Sequence, residues 1–153
     1  MAPRYVMRAA DAPKVVRFLD EAWGDYALEM LAGLPARTDA IDAFAVCAEA
    51  DGLLVGAAVA KIDGGVAELE ELIVAPDWRG RGVGRELLQR FEARSRELGC
   101  HKARVRTLSM GPQERFYLKA GYHVEARFPN DFMGLDWVWL GRFFSAEQGP
   151  REQ

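Results

Sequence analysis

The alternation of apolar and polar residues along the chain predicts seven short β-strands. Two of them, at 43–50 and 53–62, are separated by an Asp-Gly dipeptide, which is typical of a tight hairpin turn. A second turn, DGG at 63–65, leads into a third apolar run at 66–75. The other predicted strands cover residues 4–10, 102–108, 122–128 and 135–144.

Apolar residues spaced three to four positions apart predict four helices between these strands. The first covers 11–23 with Asp11 as its N-cap, and a second, poorly defined helix follows at 25–41. The third covers 84–99 and the fourth covers 112–120. The order of elements predicts an α/β (α+β) fold, in which about four helices pack against one sheet of about seven strands.

Length and composition favour one globular domain. The 153 residues, half of them hydrophobic, predict a single domain at 1–145 and a loose C-terminal tail at 146–153. The longest apolar run, at 53–60, is too short to cross a bilayer, and the first residues do not resemble a signal peptide. Cys47 and Cys100 lack metal-ligand spacing, so we expect buried free thiols, no metal and a cytoplasmic location.

The charges are distributed unevenly along the chain. The net charge of −3 argues against a nucleic-acid-binding protein. Residues 1–75 carry 6 Lys/Arg and 13 Asp/Glu, whereas residues 76–153 carry 14 and 10. An acidic half and a basic half suit a cationic and an anionic ligand respectively, although solvated surfaces would give the same counts.

Three glycines precede the third predicted helix in the segment WRGRGVGRELL, residues 78–88. None of the residues leading into this helix offers a capping side chain, so its first N–H groups lack partners. Glycines allow a ligand to approach the backbone, and the positive end of a helix favours an anion such as phosphate. The spacing fits neither a P-loop nor a dinucleotide fingerprint. The alternative is a plain glycine-rich turn.

The motif R-x-x-G-x-G at 79–84 resembles the acetyl-coenzyme A loop of the GNAT superfamily of N-acetyltransferases. The segment FYLKAGY at 116–122 resembles the second motif of that family, and the similarity covers about residues 4–144. The resemblance implies a mixed, twisted sheet that is splayed open in the middle, with the cofactor in the splay. It implies a cofactor site formed by Leu72, Ile73, Val74, Arg79, Gly80, Arg81, Gly82, Val83, Gly84, Arg85, Ser109 and Tyr117.

Within this site the resemblance assigns distinct roles. N–H groups of residues 81–85 would bind the pyrophosphate, and the backbone of Leu72 and Val74 would pair with the pantetheine arm. Tyr117 would be the general acid that protonates the thiolate leaving group. This interpretation expects Phe116 to serve the core in place of Tyr117, and the alternative is that Tyr117 is itself a core aromatic.

Three glutamates in the strand at 66–75 are candidates for the base that deprotonates the amine. Strict alternation places Glu68 and Glu70 on one face with Leu72, and Glu71 on the other face. The resemblance favours Glu68, with Glu70 second; the alternative is a charged rim that attracts a cation.

Two positions depart from the family pattern. Where the family has Asn and Ala before its Tyr, this chain has Met110 and Gln113, so Ser109 is the candidate to replace the Asn contact.

The resemblance implies an N-acetyltransferase that transfers the acetyl group of acetyl-CoA by direct attack to a primary amine of a small molecule or a peptide. The acidic first half fits a cationic acceptor such as a polyamine, an aminoglycoside or a lysine side chain. The alternatives are transfer of a succinyl or aminoacyl group, and a non-catalytic CoA-sensing domain. Determinants of the acceptor are expected at 25–41 and 129–136, where loops vary with function. Trp137 and Trp139 share a face and are expected to pack in the core or in a dimer; the alternative is a wall on which the substrate stacks. A homodimer is the default assembly.

Overall fold

The structure of the protein is a computed structural model, which describes residue 9 and residues 11–30 and 42–145. Its helices and strands in chain order are α1 Pro13–Met30, β1 Asp42–Ala50, β2 Leu53–Asp63, β3 Val66–Val74, α2 Val83–Glu97, β4 Lys102–Leu108, α3 Pro112–Lys119, β5 His123–Phe128 and β6 Trp137–Phe143. None of the helices in this part of the chain is long and apolar enough to cross a membrane.

Contacts divide the chain into two compact units, residues 1–37 and residues 38–153. The first unit contains α1, a single helix that covers the first predicted helix and continues to Met30. The carbonyl of Ala12 accepts hydrogen bonds from the N–H groups of Val15 and Val16, so the helix begins one residue later than predicted, and Asp11 is not its N-cap. The rest of the second predicted helix and the predicted strand at 4–10, apart from Ala9, lie outside the described residues.

The second unit contains one mixed sheet with the strand order β1-β2-β3-β4-β6-β5. Strands β1 to β3 form an antiparallel meander, β3 pairs with β4 in parallel, and β4, β6 and β5 are antiparallel. Both predicted hairpin turns are present, and both central residues of each have positive φ. The predicted α/β (α+β) fold is confirmed, with six described strands and three described α-helices.

Helix α2 packs against one face of the sheet, which we call the helix face. Leu88 and Phe91 are 2% and 0% exposed there. The strands contribute small buried residues to the same core, including Ala58, Ala60 and Ala103, which we call the seat of small residues. Small side chains let the helix axis approach the sheet closely. At Gly56 an added Cβ would lie 3.0 Å from the Leu87 Cδ1 atom, so glycine is needed for this approach.

Strand β3 contains a β-bulge that changes which side chains share a face. Val59 pairs with Glu71 and Ala60 pairs with Leu69, so Glu70 is an extra residue opposite β2. As a result, Leu72 lies on the helix face with Leu69, and Glu71 lies on the other face with Glu68. The prediction from strict alternation, which placed Glu71 opposite Glu68 and Leu72 with Glu68, is wrong because it did not include the bulge.

The opposite face of the sheet carries most of the charged side chains of the strands, and we call it the charged face. It contains Lys61, Glu68, Glu71, Arg104 and Arg106, together with both tryptophans of β6. Trp137 and Trp139 are therefore partly exposed and lie outside the buried core, in which one interpretation placed them.

The two cysteines differ in exposure. Cys100 is buried as expected, and burial raises the pKa of its thiol. Cys47 is exposed, contrary to the expectation that both thiols are buried.

A buried ion pair joins the two helices of the second unit to the sheet. Arg142 on β6 lies with one guanidinium nitrogen 2.9 Å from Glu92 Oε2 on α2, and it donates to the carbonyl of Ala120 at the end of α3. Glu92 is 3% exposed, so its charge depends on this partner. The contact fixes the C-terminal end of α3 against the middle of α2.

The burial of α2 leads to a first prediction. Leu88→Ala should lower the free energy of unfolding by about 2–5 kcal/mol, because it leaves a cavity in the closely packed core. The matched substitution Leu54→Ala, at a side chain that is 63% exposed, should change it by less than about 0.5 kcal/mol. Urea unfolding followed by circular dichroism measures both. Equal losses in the two variants would contradict the packing described here.

Candidate active site

The sheet opens between its two central parallel strands. Pairing between β3 and β4 is restricted to Val66–Leu69 against Lys102–Val105. Both strands continue beyond the last pair, β3 to Val74 and β4 to Leu108, so they diverge towards their C-terminal ends. Among the described strands, none pairs with the edge of β3 that faces β4 from Glu70 onwards, so an extended ligand could use its backbone groups.

The glycine-rich segment begins directly after this open edge. Gly80 and Gly82 have φ values of 71° and 85°, which glycine adopts without strain, and Gly82 is the N-cap of α2. No side chain caps the helix, and its first backbone bond runs from the N–H of Glu86 to the carbonyl of Gly82. The N–H groups of Val83, Gly84 and Arg85 are thus left without intrahelical acceptors at the positive end of the helix.

Two of the three arginines in this segment make contacts within it. Arg79 donates from Nε to the carbonyl of Val74 at 2.9 Å, which holds the segment to the end of β3. The guanidinium of Arg81 lies 5.1 Å from the ring centre of Trp78, a contact that the sequence did not reveal. Arg85 is exposed in the first turn of α2. These positions surround the unpaired N–H groups with positive charge, which stabilises a bound anion.

The open edge of β3 and helices α2 and α3 meet at Gly84. A Cβ added there would lie 3.6 Å from Val74 and 3.8 Å from the ring of Phe116, which is ordinary van der Waals contact. The protein alone does not require glycine at this position, since its φ is not in the left-handed region. The space that a side chain would fill is therefore left free between the end of β3 and α3.

Tyr117 on α3 lies in the buried core. It is on the side of the sheet where α3 packs beside the opening between β3 and β4, which we call the splay. It is 6% exposed, and its ring makes edge contacts with Phe116 and Tyr122 at 5.1 and 5.6 Å. Phe116 is the less buried of the adjacent pair, so the expectation that Phe116 serves the core in place of Tyr117 is wrong. Burial raises the pKa of the Tyr117 hydroxyl above its usual value, which keeps it protonated and able to donate.

The three candidate bases have different surroundings. Glu68 lies in the paired part of the sheet and accepts two hydrogen bonds from Arg104, at 2.7 and 3.1 Å. Glu70 lies in the bulge where the splay begins, and Glu71 follows it. Both are exposed, and neither forms an ion pair with a described residue. The structure thus brings Glu70 and Glu71 to the splay and leaves Glu68 engaged by an arginine.

Ser109, the candidate for the missing Asn contact, belongs to a hydrogen-bond network at the end of β4. Its hydroxyl accepts from Arg127 at 2.6 Å, and the same guanidinium pairs with Glu114 at 2.6 Å. Glu114 also accepts from the N–H of Met110, and the hydrogen bond from Arg127 is the main cause that lowers the pKa of its carboxyl group. Sequence reasoning missed this network, although a Glu at the third position of a helix is a capping signal.

A surface cavity of about 440 Å³ lies beside this network. It is lined by residues after β4, including Ser109 and Gln113, and by Gly134–Asp136 in the loop between β5 and β6. That loop is part of the predicted acceptor segment at 129–136; the other segment, 25–41, is described only to Met30. Within the described residues no group of His, Cys, Asp and Glu side chains could hold a metal ion.

Comparison with solved structures shows the same fold in many acetyltransferases. An acetyltransferase from Bacillus cereus ATCC 14579 matches with a TM-score of 0.72 and 17% identity over 92% of this chain and 98% of that one. A protein from Bacillus anthracis str. Ames, assigned as a streptothricin acetyltransferase and solved with acetyl coenzyme A, matches with a TM-score of 0.63 and 17% identity, covering 69% of this chain and 65% of that one. The ribosomal-protein-S18-alanine N-acetyltransferase from Escherichia coli matches with a TM-score of 0.62 and 17% identity over 81% of each chain.

Sequence comparison identifies the family directly. No curated protein gives a significant match to the sequence. The model of the acetyltransferase (GNAT) family matches residues 9–122, which is well over half of the 153 residues and includes the splay, the glycine-rich segment and Tyr117. The chain therefore belongs to the GNAT family of acetyltransferases.

Proposed function

We propose that this protein is an N-acetyltransferase that transfers the acetyl group of acetyl-CoA to a primary amine by direct attack in a ternary complex. The observation that carries the proposal is the splay of β3 and β4 immediately before an uncapped, glycine-rich helix start. An extended thioester with a phosphate-rich end matches both features at once. The acetyl coenzyme A bound to the Bacillus anthracis neighbour supports this choice of donor.

The residues present fit the donor at each of its parts. The N–H groups of residues 83–85 would hold the pyrophosphate, and the surrounding arginines would neutralise its charge. The open edge of β3 would pair with the amides of the pantetheine arm. Since the carbonyl of Val74 already accepts from Arg79, pairing would use groups nearer to Leu72. The free space at Gly84 would accommodate the arm between Val74 and Phe116.

The chemistry needs one group to accept a proton and one to donate a proton. The amine nitrogen attacks the carbonyl carbon of the thioester, the carbon–sulfur bond breaks, and CoA leaves as a thiolate. Glu70, exposed at the start of the splay, would take the proton that the nitrogen loses. Tyr117, kept protonated by its buried position, would give a proton to the sulfur. Holding both substrates in the splay would supply the orientation that the reaction needs.

The acceptor is left open by the similar structures. The Escherichia coli protein acts on the alanine of a ribosomal protein, and the Bacillus anthracis protein is assigned to streptothricin, so the shared fold serves different amines. A cytoplasmic location and a homodimer stay predictions of the sequence.

Binding of the donor gives the first test of this proposal. Acetyl-CoA should raise the melting temperature by several degrees, because a ligand at a hundredfold excess over its Kd stabilises the folded state by about 2.7 kcal/mol. ATP and NAD, tested in parallel, should not. A shift without turnover of any amine would support a CoA-sensing domain, and faster turnover with succinyl-CoA would support a different acyl group. No shift with any ligand would mean that the segment is only a turn.

The role of Tyr117 gives a second test. Tyr117→Phe should lower kcat by about 10²–10⁴-fold with little change in the Kd of acetyl-CoA, because only proton donation is lost. The loss should be similar at every pH up to about 10, the usual pKa of tyrosine, since burial raises the pKa of this hydroxyl further. The matched control is Tyr122→Phe, which removes the hydroxyl of the neighbouring buried tyrosine, whose ring centre lies 5.6 Å from that of Tyr117. Equal kcat values in the two variants would exclude Tyr117 as the acid.

The identity of the base gives a third test. Glu70→Gln should lower kcat/KM by about 10²-fold or more, because the amine then loses its proton acceptor. Glu68→Gln should have a smaller effect, since the Glu68 carboxylate is bound to Arg104. Steady-state rates of CoA release between pH 6 and 9 measure both. A larger loss in the Glu68 variant would restore the assignment that the sequence favours.

A further inference from the structure

Oppositely charged residues occur at two successive positions along β3 and β4. The two strands are paired at the first position and have separated at the second. In the paired part of the sheet, Glu68 and Arg104 are partners in register and form an ion pair at 2.7 Å. Two residues further along β4, on the same face, Arg106 forms no ion pair with any described residue. The carboxylates of Glu70 and Glu71 on β3 are equally without such a partner. Arg106 on β4 and the two carboxylates of β3 thus lie beyond the last paired residues, Leu69 and Val105, on the two strands that border the opening.

Aromatic rings hold the guanidinium of Arg106 in place. It lies 5.0 Å from the ring centre of Trp137 and 5.7 Å from that of Phe132. The Trp137 indole donates to the carbonyl of Phe132 at 2.8 Å, which fixes the two rings relative to each other. Stacking occupies the flat face of the guanidinium and leaves the N–H groups on its edge able to bind an anion.

Arg104 provides an internal comparison for this arrangement. Its guanidinium also stacks on a tryptophan, at 4.9 Å from the ring centre of Trp139. Its edge donates to Glu68 from two nitrogens. Arg104 thus combines a tryptophan ring on one side with a carboxylate as its hydrogen-bond partner. At Arg106 the protein supplies no carboxylate among the described residues.

We propose that Arg106 binds a carboxylate of the acceptor, so that the substrate is an amino acid or a similar amine with a carboxylate close to its nitrogen. This inference rests on the proposed N-acetyltransferase function and names the substrate class of the same site. The ammonium group would face Glu70 and Glu71, and the carboxylate would face Arg106. A single zwitterionic molecule spans the charges that the splay keeps apart, whereas a polyamine would place a cation against Arg106.

The surroundings of Arg106 also select the acceptor side chain. Phe132, Met133 and Leu135 in the loop between β5 and β6 are 55%, 78% and 45% exposed, and Phe132 contacts the guanidinium itself. Apolar side chains next to an anion-binding group favour an amino acid with an aromatic or aliphatic side chain. The free amino acid is favoured over a protein N-terminus, because the carboxyl group of a terminal residue is consumed in its peptide bond.

The experiment compares phenylalanine with phenylalaninamide, in which a neutral carboxamide replaces the carboxylate, and includes spermidine as a polyamine. The wild-type protein should release CoA with kcat/KM at least tenfold higher for the acid than for the amide. Arg106→Gln should bring this ratio close to one through the KM of the acid, while KM for acetyl-CoA stays unchanged. The control Arg94→Gln, in an exposed pair on α2, should keep the wild-type ratio.

A binding measurement decides the question if turnover is low. Titration of the protein with N-acetylphenylalanine, the expected product, should change the tryptophan fluorescence, because its carboxylate would bind the guanidinium that stacks on Trp137. The corresponding amide, and the Arg106→Gln variant, should give no such change.

The outcomes separate this inference from the function on which it rests. Failure of acetyl-CoA to bind, or to be consumed with any of the amines, would overturn the proposed function. A higher kcat/KM for the amide or for spermidine than for phenylalanine would overturn the substrate class alone. So would a ratio of kcat/KM for the acid to that for the amide that stays at the wild-type value in Arg106→Gln. An identical fluorescence response to the acid and the amide would overturn it as well.

Discussion

Backbone pairing between β3 and β4 ends at Leu69 and Val105, immediately before the residue that β3 inserts at Glu70. Parallel strands need an unbroken ladder to stay together, so the loss of pairing frees one edge of β3. The same inserted residue brings Glu71 to the charged face and keeps Leu72 on the helix face. The extra residue thus lies where the opening begins, brings the Glu71 carboxylate beside it and keeps Leu72 on the apolar face that α2 covers.

The two faces of the sheet have different roles in the proposed site. On the helix face, α2 and α3 supply the backbone N–H groups and Tyr117, and the contact of Arg142 with Glu92 and Ala120 holds these helices to each other. On the charged face, arginines stacked on tryptophans and carboxylates of β3 stand on either side of the opening. In the proposed reaction the donor approaches from the first face and the amine from the second, so the two substrates need not cross.

Local rules of the sequence predicted much of the fold. The hairpin turns and the glycine-rich segment could be predicted because positive φ angles restrict which residues are possible. The bulge was missed because strict alternation was assumed, although the adjacent Glu70 and Glu71 interrupt the alternation between Leu69 and Leu72. The burial of Tyr117 relative to Phe116 depends on how α3 docks, and adjacent aromatic residues give no sign of it. The bond of Ser109 to Arg127 joins residues that are far apart in sequence.

The seat of small residues under α2 has a consequence for how this protein can change over evolutionary time. Ala58, Ala60 and Ala103 are at most 1% exposed, so any larger side chain there displaces α2, whose uncapped start would bind the phosphates in the proposed function. Arg106, Phe132 and Leu135 sit on exposed surface, where replacement costs little folding stability. If the proposed site is correct, descendants of this sequence can therefore acquire new acceptors one substitution at a time, while the packing beneath α2 keeps the binding site of their common donor fixed.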